Sequence, residues 1–140
     1  MIKIQLDEGA YMPEKAHDLD AGFDLRTPYV VGIPAGGSAA IDTGVHIAIP
    51  KGYYGKLESK SGLNVNYDVV CLGGVIDSGY TGSIVVKLYN FGARPYIFEA
   101  GDKIVQLILQ SHAVLIGGFD VVESLEETER GNKGFGSTGK

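Results

Sequence analysis

A chain of 140 residues, 44% hydrophobic and 21% charged, is one globular domain in length, long enough to bury a core without disulfides or a structural metal. Its single cysteine, Cys71, forms no internal bridge, its three scattered histidines make no zinc spacing, and no apolar run nears the roughly 18 residues of a membrane span. Twelve basic against 17 acidic residues give a net charge of −5 with no basic stripe, which excludes duplex nucleic acid as a partner but leaves room for a small anion. Residues 1–8 alternate charged and apolar side chains where a signal peptide would have an apolar core, so the expected location is cytoplasmic.

In chain order, short period-two or wholly apolar runs read as strands at 2–6, 30–33, 44–49, 53–58, 69–72, 83–90, 96–99 and 104–111. The clearest lie within 39–49 and 82–89. Twenty-one glycines and five prolines interrupt any helix longer than about three turns. One helical turn has room at 61–66, with Ser61 in the capping position. The expected class is all-β, a sandwich or barrel without internal repeats.

Four loops carry more polar chemistry than a plain sandwich needs. In Asp20-Ala21-Gly22-Phe23-Asp24-Leu25, two carboxylates stand four apart around a glycine, which by itself reads as a turn more readily than as a site. Ser59-Lys60-Ser61-Gly62 gathers two hydroxyls, a cation and a flexible amide, which makes an anion nest or an ordinary polar loop. From Gly73 to Gly82, glycine pairs bracket Val75-Ile76-Asp77, so a hairpin can bring bare backbone up to a flat ligand. Gly101-Asp102-Lys103 turns into a strand that sets a polar Gln106 among apolar neighbours.

Residues 130–140 hold four glycines and a lone aromatic, Phe135. Such a tail cannot offset its ordering entropy by packing in its own domain, so it is expected to be mobile when free. It reads as a frayed terminus or as a nucleotide cap that supplies cations, freed amides, hydroxyls and one ring to stack on a base. Residues 134–140 match the start of a phosphate-binding P-loop, without the Ser or Thr and the helix that such a loop requires. The expected organisation is a β domain over 1–122 and an arm over 123–140.

These segments, in this order, resemble the trimeric dUTPases, most specifically in Gly74-Val75-Ile76-Asp77 with Tyr80, and in Arg130 with Gly134-Phe135-Gly136-Ser137-Thr138-Gly139. The resemblance implies a distorted β-barrel or jelly roll, and a homotrimer in which three subunits build each active site. It implies hydrolysis of dUTP to dUMP and pyrophosphate, which limits uracil incorporation into DNA and supplies dUMP for dTMP synthesis. By resemblance, Asp77 orients and deprotonates the attacking water, and Gln106 contacts the α-phosphate and that water. Lys60, Ser61 and Gly62 match phosphate contacts, and the backbone around Leu72, Gly74 and Val75 reads uracil. Tyr80 matches the ring under the deoxyribose. Arg130, Ser137 and Thr138 match the tail's grip on the γ-phosphate, Phe135 its stacking ring, and Gly136 a further substrate-binding position. The implied cofactor is Mg²⁺, held mainly by the triphosphate, with Asp24 reaching it through water.

Two positions depart from the pattern. Lys60 stands where the family usually has Arg, a point charge in place of a planar fork, and either contacts phosphate or points to solvent. Cys71 stands at a frequent Asn position. A dCTP deaminase, which shares the fold, would need a Glu where this chain has Lys87. A trimer that uses nucleotide only as a switch for a protein partner is the alternative from another class.

Overall fold

Strands form where apolar residues alternate. In a computed structural model that describes residues 1–132, β6 (Tyr53–Glu58) buries Gly55 and Leu57, and β9 (Val85–Asn90) buries Val86, Leu88 and Asn90. β11 (Lys103–Ser111) runs between β2 (Phe23–Arg26) and β6, and β8 (Val75–Ile76) adds to the far edge of β6 to complete a four-stranded sheet. β4 (Ser38–Asp42), β9 and β7 (Val69–Cys71) make a three-stranded sheet. Two ribbons pair β1 (Lys3–Leu6) with β5 (Val45–Ala48), and β10 (Tyr96–Phe98) with β3 (Val31–Ile33). Every pairing is antiparallel. Leu25, Ile33, Ile41, Leu57, Leu88, Phe98 and Leu107 meet in one core, each stabilising the fold by about 1.5–3 kcal/mol through burial.

Each of the eight expected runs contains a strand, and the described residues are β-rich with one short helix. The run 39–49 is two strands, however. Gly44 takes a φ of +66° and its N–H donates to the Asp42 carboxylate, which interrupts the strand while Thr43 stays buried and keeps the apolar pattern unbroken. Phe23–Arg26, read as a turn, is a strand. The expected hairpin over 73–82 is not paired with itself: β8 bonds to β6, and β9 bonds to β4 and β7, so the segment crosses from one sheet to another. Among the described residues the ladders form four separate sheets and do not close into a barrel.

The short helix α1 (Ser61–Tyr67) starts one residue earlier than a Ser61 cap requires. Lys60 is the N-cap, without a side-chain bond, and Ser61 is the first helical residue. Asp68 ends the helix at φ +55°, its N–H donating to the carbonyls of Leu63 and Asn64. Tyr67 meets Tyr96 edge-on at 4.9 Å, and Tyr96 lies 4.7 Å from Phe98, which ties the helix to the core.

Asn90 is the core's main polar commitment. Its amide donates to the carbonyls of Ile33 (3.1 Å) and Arg94 (2.8 Å), and its carbonyl accepts from Gly92 N–H (2.9 Å), closing the turn after β9. Asn90→Ala is therefore expected to cost about 2–4 kcal/mol, from several lost bonds and buried groups left unpaired, read as a lowered denaturant midpoint.

Candidate active site

A bulge builds the first cleft. The register of β11 against β2 shifts between Lys103 and Val105, so Ile104 and Val105 both face the core while Lys103 and Gln106 line the same polar cleft. Asp24 enters it from β2, opposite Gln106 in the ladder, and Lys60, Ser61 and Gly62 enter from the start of α1. The volume is about 400 Å³. Gly22 makes room for Gln106, since a Cβ there would stand 2.9 Å from its Oε1. Gln106 Nε2 donates to the Ser59 carbonyl at 3.3 Å.

Two ammonium groups hold Asp24. Lys60 Nζ lies 2.5 Å from one carboxylate oxygen and Lys103 Nζ 2.7 Å from the other. Burial alone would raise its pKa, but hydrogen bonds from Lys103 and Lys60 outweigh burial and hold the carboxyl below its usual range. Asp24 thus adds stability above about pH 3.9, which is lost as pH falls through its lowered folded value. Lys60 turns into the cleft, not to solvent, and together with Lys103 it places two cations beside the hydroxyl of Ser61 and the first-turn amides of α1, which have no carbonyl partner within the helix.

The second cleft lies beside β8. It is lined by Leu57, Gly74, Val75, Asp77 and Tyr80 among others and shares no residue with the first. Gly74, at φ +100°, sits so close to Leu57 that a Cβ would stand 2.7 Å from the leucine Cβ. Its carbonyl accepts from Leu57 N–H at 2.9 Å. Leu72 and Val75 are exposed next to it. Tyr80 closes a turn through its N–H to the Asp77 carbonyl (3.0 Å), and its hydroxyl donates to the Ser83 carbonyl (2.8 Å). Gly82 is needed under that ring.

Phe135, Gly136, Ser137 and Thr138 lie outside the described residues, and Arg130 is exposed in the segment leading to them. Lys103 was missed in the sequence. Its only signal there was its place in the polar turn before Gln106, and its meeting with Asp24 spans 79 residues. Cys71 is half-buried, its backbone N–H donates to the Ser59 hydroxyl (2.8 Å), and burial pushes its thiol up, so it packs the end of β7 and is no nucleophile.

Paired cations, a hydroxyl and open amides in one cleft of an all-β chain define a phosphate-binding class of site. The chain belongs to the dUTPase family, whose profile matches residues 8–139. It is 42% identical over 139 residues to the deoxyuridine 5'-triphosphate nucleotidohydrolase of Paramecium bursaria Chlorella virus 1, covering 99% of this chain and 97% of that one. It is 39% identical over 140 residues to the Saccharomyces cerevisiae enzyme of the same name, with 99% and 95% coverage. Among solved structures, Staphylococcus bacteriophage 80alpha dUTPase with dUpNHpp matches at a TM-score of 0.92 and 30% identity, covering 100% of this chain and 99% of that one. A variant dUTPase of S. aureus phage phi11, solved for its coordination of a structural Mg(II) ion, matches at 0.81 and 27% identity, with 91% and 99% coverage. No helix among the described residues is long and apolar enough to cross a membrane.

Proposed function

We propose that the chain hydrolyses dUTP to dUMP and pyrophosphate by attack of water on the α-phosphorus, in a homotrimer whose active sites are each assembled from several copies. The observation that carries the shared site is the separation of the two clefts. Lys60, Ser61, Gly62 and Gln106 line one and Asp77 and Tyr80 the other, with no lining residue in common, which supports a site completed by a second copy.

In this reading the polar cleft of one copy grips the triphosphate, and the Asp77 cleft of a second copy supplies base recognition and the general base. The arm at 123–140 of a third closes over both, with Arg130, Ser137 and Thr138 on the γ-phosphate and Phe135 on the uracil ring. Uracil is read by backbone around Leu72, Gly74 and Val75, where cytosine would leave polar groups mismatched at about 1–3 kcal/mol each. Exposed apolar surface supports assembly. Met1, Ile2, Ile4, Met12, Phe23 and Leu109 line an apolar groove beside the open edge of β1, and Leu115, Ile116, Phe119 and Val121 stand in solvent after β11.

The site fits a magnesium ion that arrives with the triphosphate. A carboxylate has about four lone-pair positions, and the two lysines occupy two of Asp24's, leaving acceptors for water on such an ion. When bound, the metal would neutralise charge on the phosphates. Asp24 itself orients Lys60 and Lys103 toward the same cleft. Lys87, at the position where a deaminase needs its Glu, lies over the Tyr89 ring at 5.7 Å and provides no carboxylate.

Pyrophosphate release tests the reading: turnover of dUTP well above that of dCTP and dTTP is expected, whereas nucleotide affinity without turnover would make the protein a regulatory binder. Lys60→Ala is expected to lower kcat/KM by about 2–3 kcal/mol of transition-state stabilisation, the scale of a charge-assisted hydrogen bond, and Lys60→Arg to preserve or raise it. An Ala variant within about twofold of the parent would assign the phosphate contact to Ser61, Gly62 and Lys103 instead.

A further inference from the structure

His46, on β5, has oxygen at both ring nitrogens. Nδ1 lies 2.9 Å from the Thr81 carbonyl oxygen, and Nε2 lies 3.2 Å from both oxygens of the Asp7 carboxylate. A carbonyl and a carboxylate only accept, while a neutral imidazole carries one N–H. It therefore satisfies one partner and turns a bare lone pair on the other. Only the imidazolium donates to both.

The Thr81 carbonyl belongs to the loop that carries Asp77 and Tyr80. Beyond it, Ile84 N–H donates to the Val45 carbonyl (2.9 Å), Thr43 hydroxyl donates to the Ile84 carbonyl (2.8 Å), and Ser83 hydroxyl donates to Asp42. The loop's far end is thus pinned by backbone to the start of β5. At Thr81 the tie is the side chain of the next residue along that strand, His46, which is anchored in turn to Asp7 at the end of β1.

We propose that His46, as the imidazolium, is a pH-dependent positioning residue that tethers the Asp77–Tyr80 loop through Thr81 and loosens it on losing its proton. The role rests on the proposed function of Asp77 and Tyr80. Charged side chains from the elements around it surround the ring. Asp7 touches it, Asp42 at the end of β4 attracts the charged form, and Lys3 on β1 lines the same groove. The hydrogen bond to the Thr81 carbonyl, then that to Asp7, hold His46 above its ordinary value. The tether is therefore complete below about pH 6.5 and is lost as pH rises through the raised folded value. On loss of the proton the remaining N–H stays with the Asp7 carboxylate, a stronger acceptor than a neutral carbonyl, so the loop loses its bond from His46 and keeps its backbone bonds.

The test combines histidine-ring and amide NMR with kinetics on the full chain. His46 is expected to titrate above 6.5, and Asp7→Asn to lower its midpoint. The amides of Thr81 and Tyr80 are expected to shift with that same midpoint in the parent and to stay flat in His46→Gln, whose amide donates to Thr81 at every pH. Between pH 6.5 and 9, KM for dUTP is expected to rise about threefold to tenfold more in the parent than in His46→Gln, the scale of one hydrogen bond. His46 titrating at or below 6.5, Thr81 and Tyr80 amides blind to it, or identical KM profiles would each overturn the proposal. Amide shifts that follow His46 in a protein without dUTP turnover would uphold the tether and reject the function proposed for the loop.

Discussion

Asp77→Asn is expected to lower dUTP turnover about 10³-fold while leaving nucleotide binding measurable by calorimetry, the effect of removing a positioned general base. The substitution keeps the side chain's size and removes its ability to take a proton from water. It also leaves the loop intact, because the Asp77 backbone carbonyl, not its carboxylate, accepts from Tyr80 N–H at 3.0 Å. In-line placement and charge stabilisation by Lys60 and Lys103 are expected to carry much of the remaining acceleration. Turnover within tenfold of the parent would remove Asp77 from the reaction and leave Gln106 to orient the water.

Ending the chain at Glu129 is the second large effect. Among the described residues every strand closes by Ser111 and every fully buried core residue lies before it, so the melting temperature is expected to move by less than about 2 °C. Activity, in contrast, is expected to fall by about 10²-fold or more, since the deleted residues hold Arg130, Ser137 and Thr138 for the phosphates and Phe135 for the base. Mixing the truncated chain with full-length Asp77→Asn separates a shared site from a self-contained one. After subunit exchange, some sites combine an intact Asp77 from one chain with an intact tail from another, and activity returns above that of either parent. A mixture that exchanges subunits and stays inactive would place the tail and Asp77 of each site on one chain.

Local order was readable in the amino-acid pattern wherever the signal is local. Tyr53–Glu58 alternates and is bounded by a turn, and the structure gives those same limits. The glycine density excluded long helices, and α1 appears at Ser61–Tyr67, near the one place with room for it. The polar segments around Asp24, Lys60, Asp77 and Gln106 stood out because each sets charge or hydroxyl beside glycine in an otherwise apolar strand sequence. Those are statements about neighbours in the chain, and composition and spacing carry them.

What the pattern did not contain depends on residues far apart in sequence. Phe23–Arg26 is a strand because β11 offers it a partner some 80 positions later, and its own few residues around a glycine fit a turn equally well. The run 39–49 keeps its apolar rhythm through Thr43, so only the left-handed Gly44 and the carbonyl of Ile84 reveal the break. Val75–Ile76 pairs with β6 in place of its own continuation, and Asp77 and Lys60 line different clefts. Lys60 and Lys103 converge on Asp24, and Asp7 and Thr81 converge on His46, across 35 to 79 residues. The chain order determined which chemical groups were present. Tertiary structure decided which of them share a charge or a proton, because electrostatic and hydrogen-bond energies depend on distance in space, and sheet pairing sets that distance.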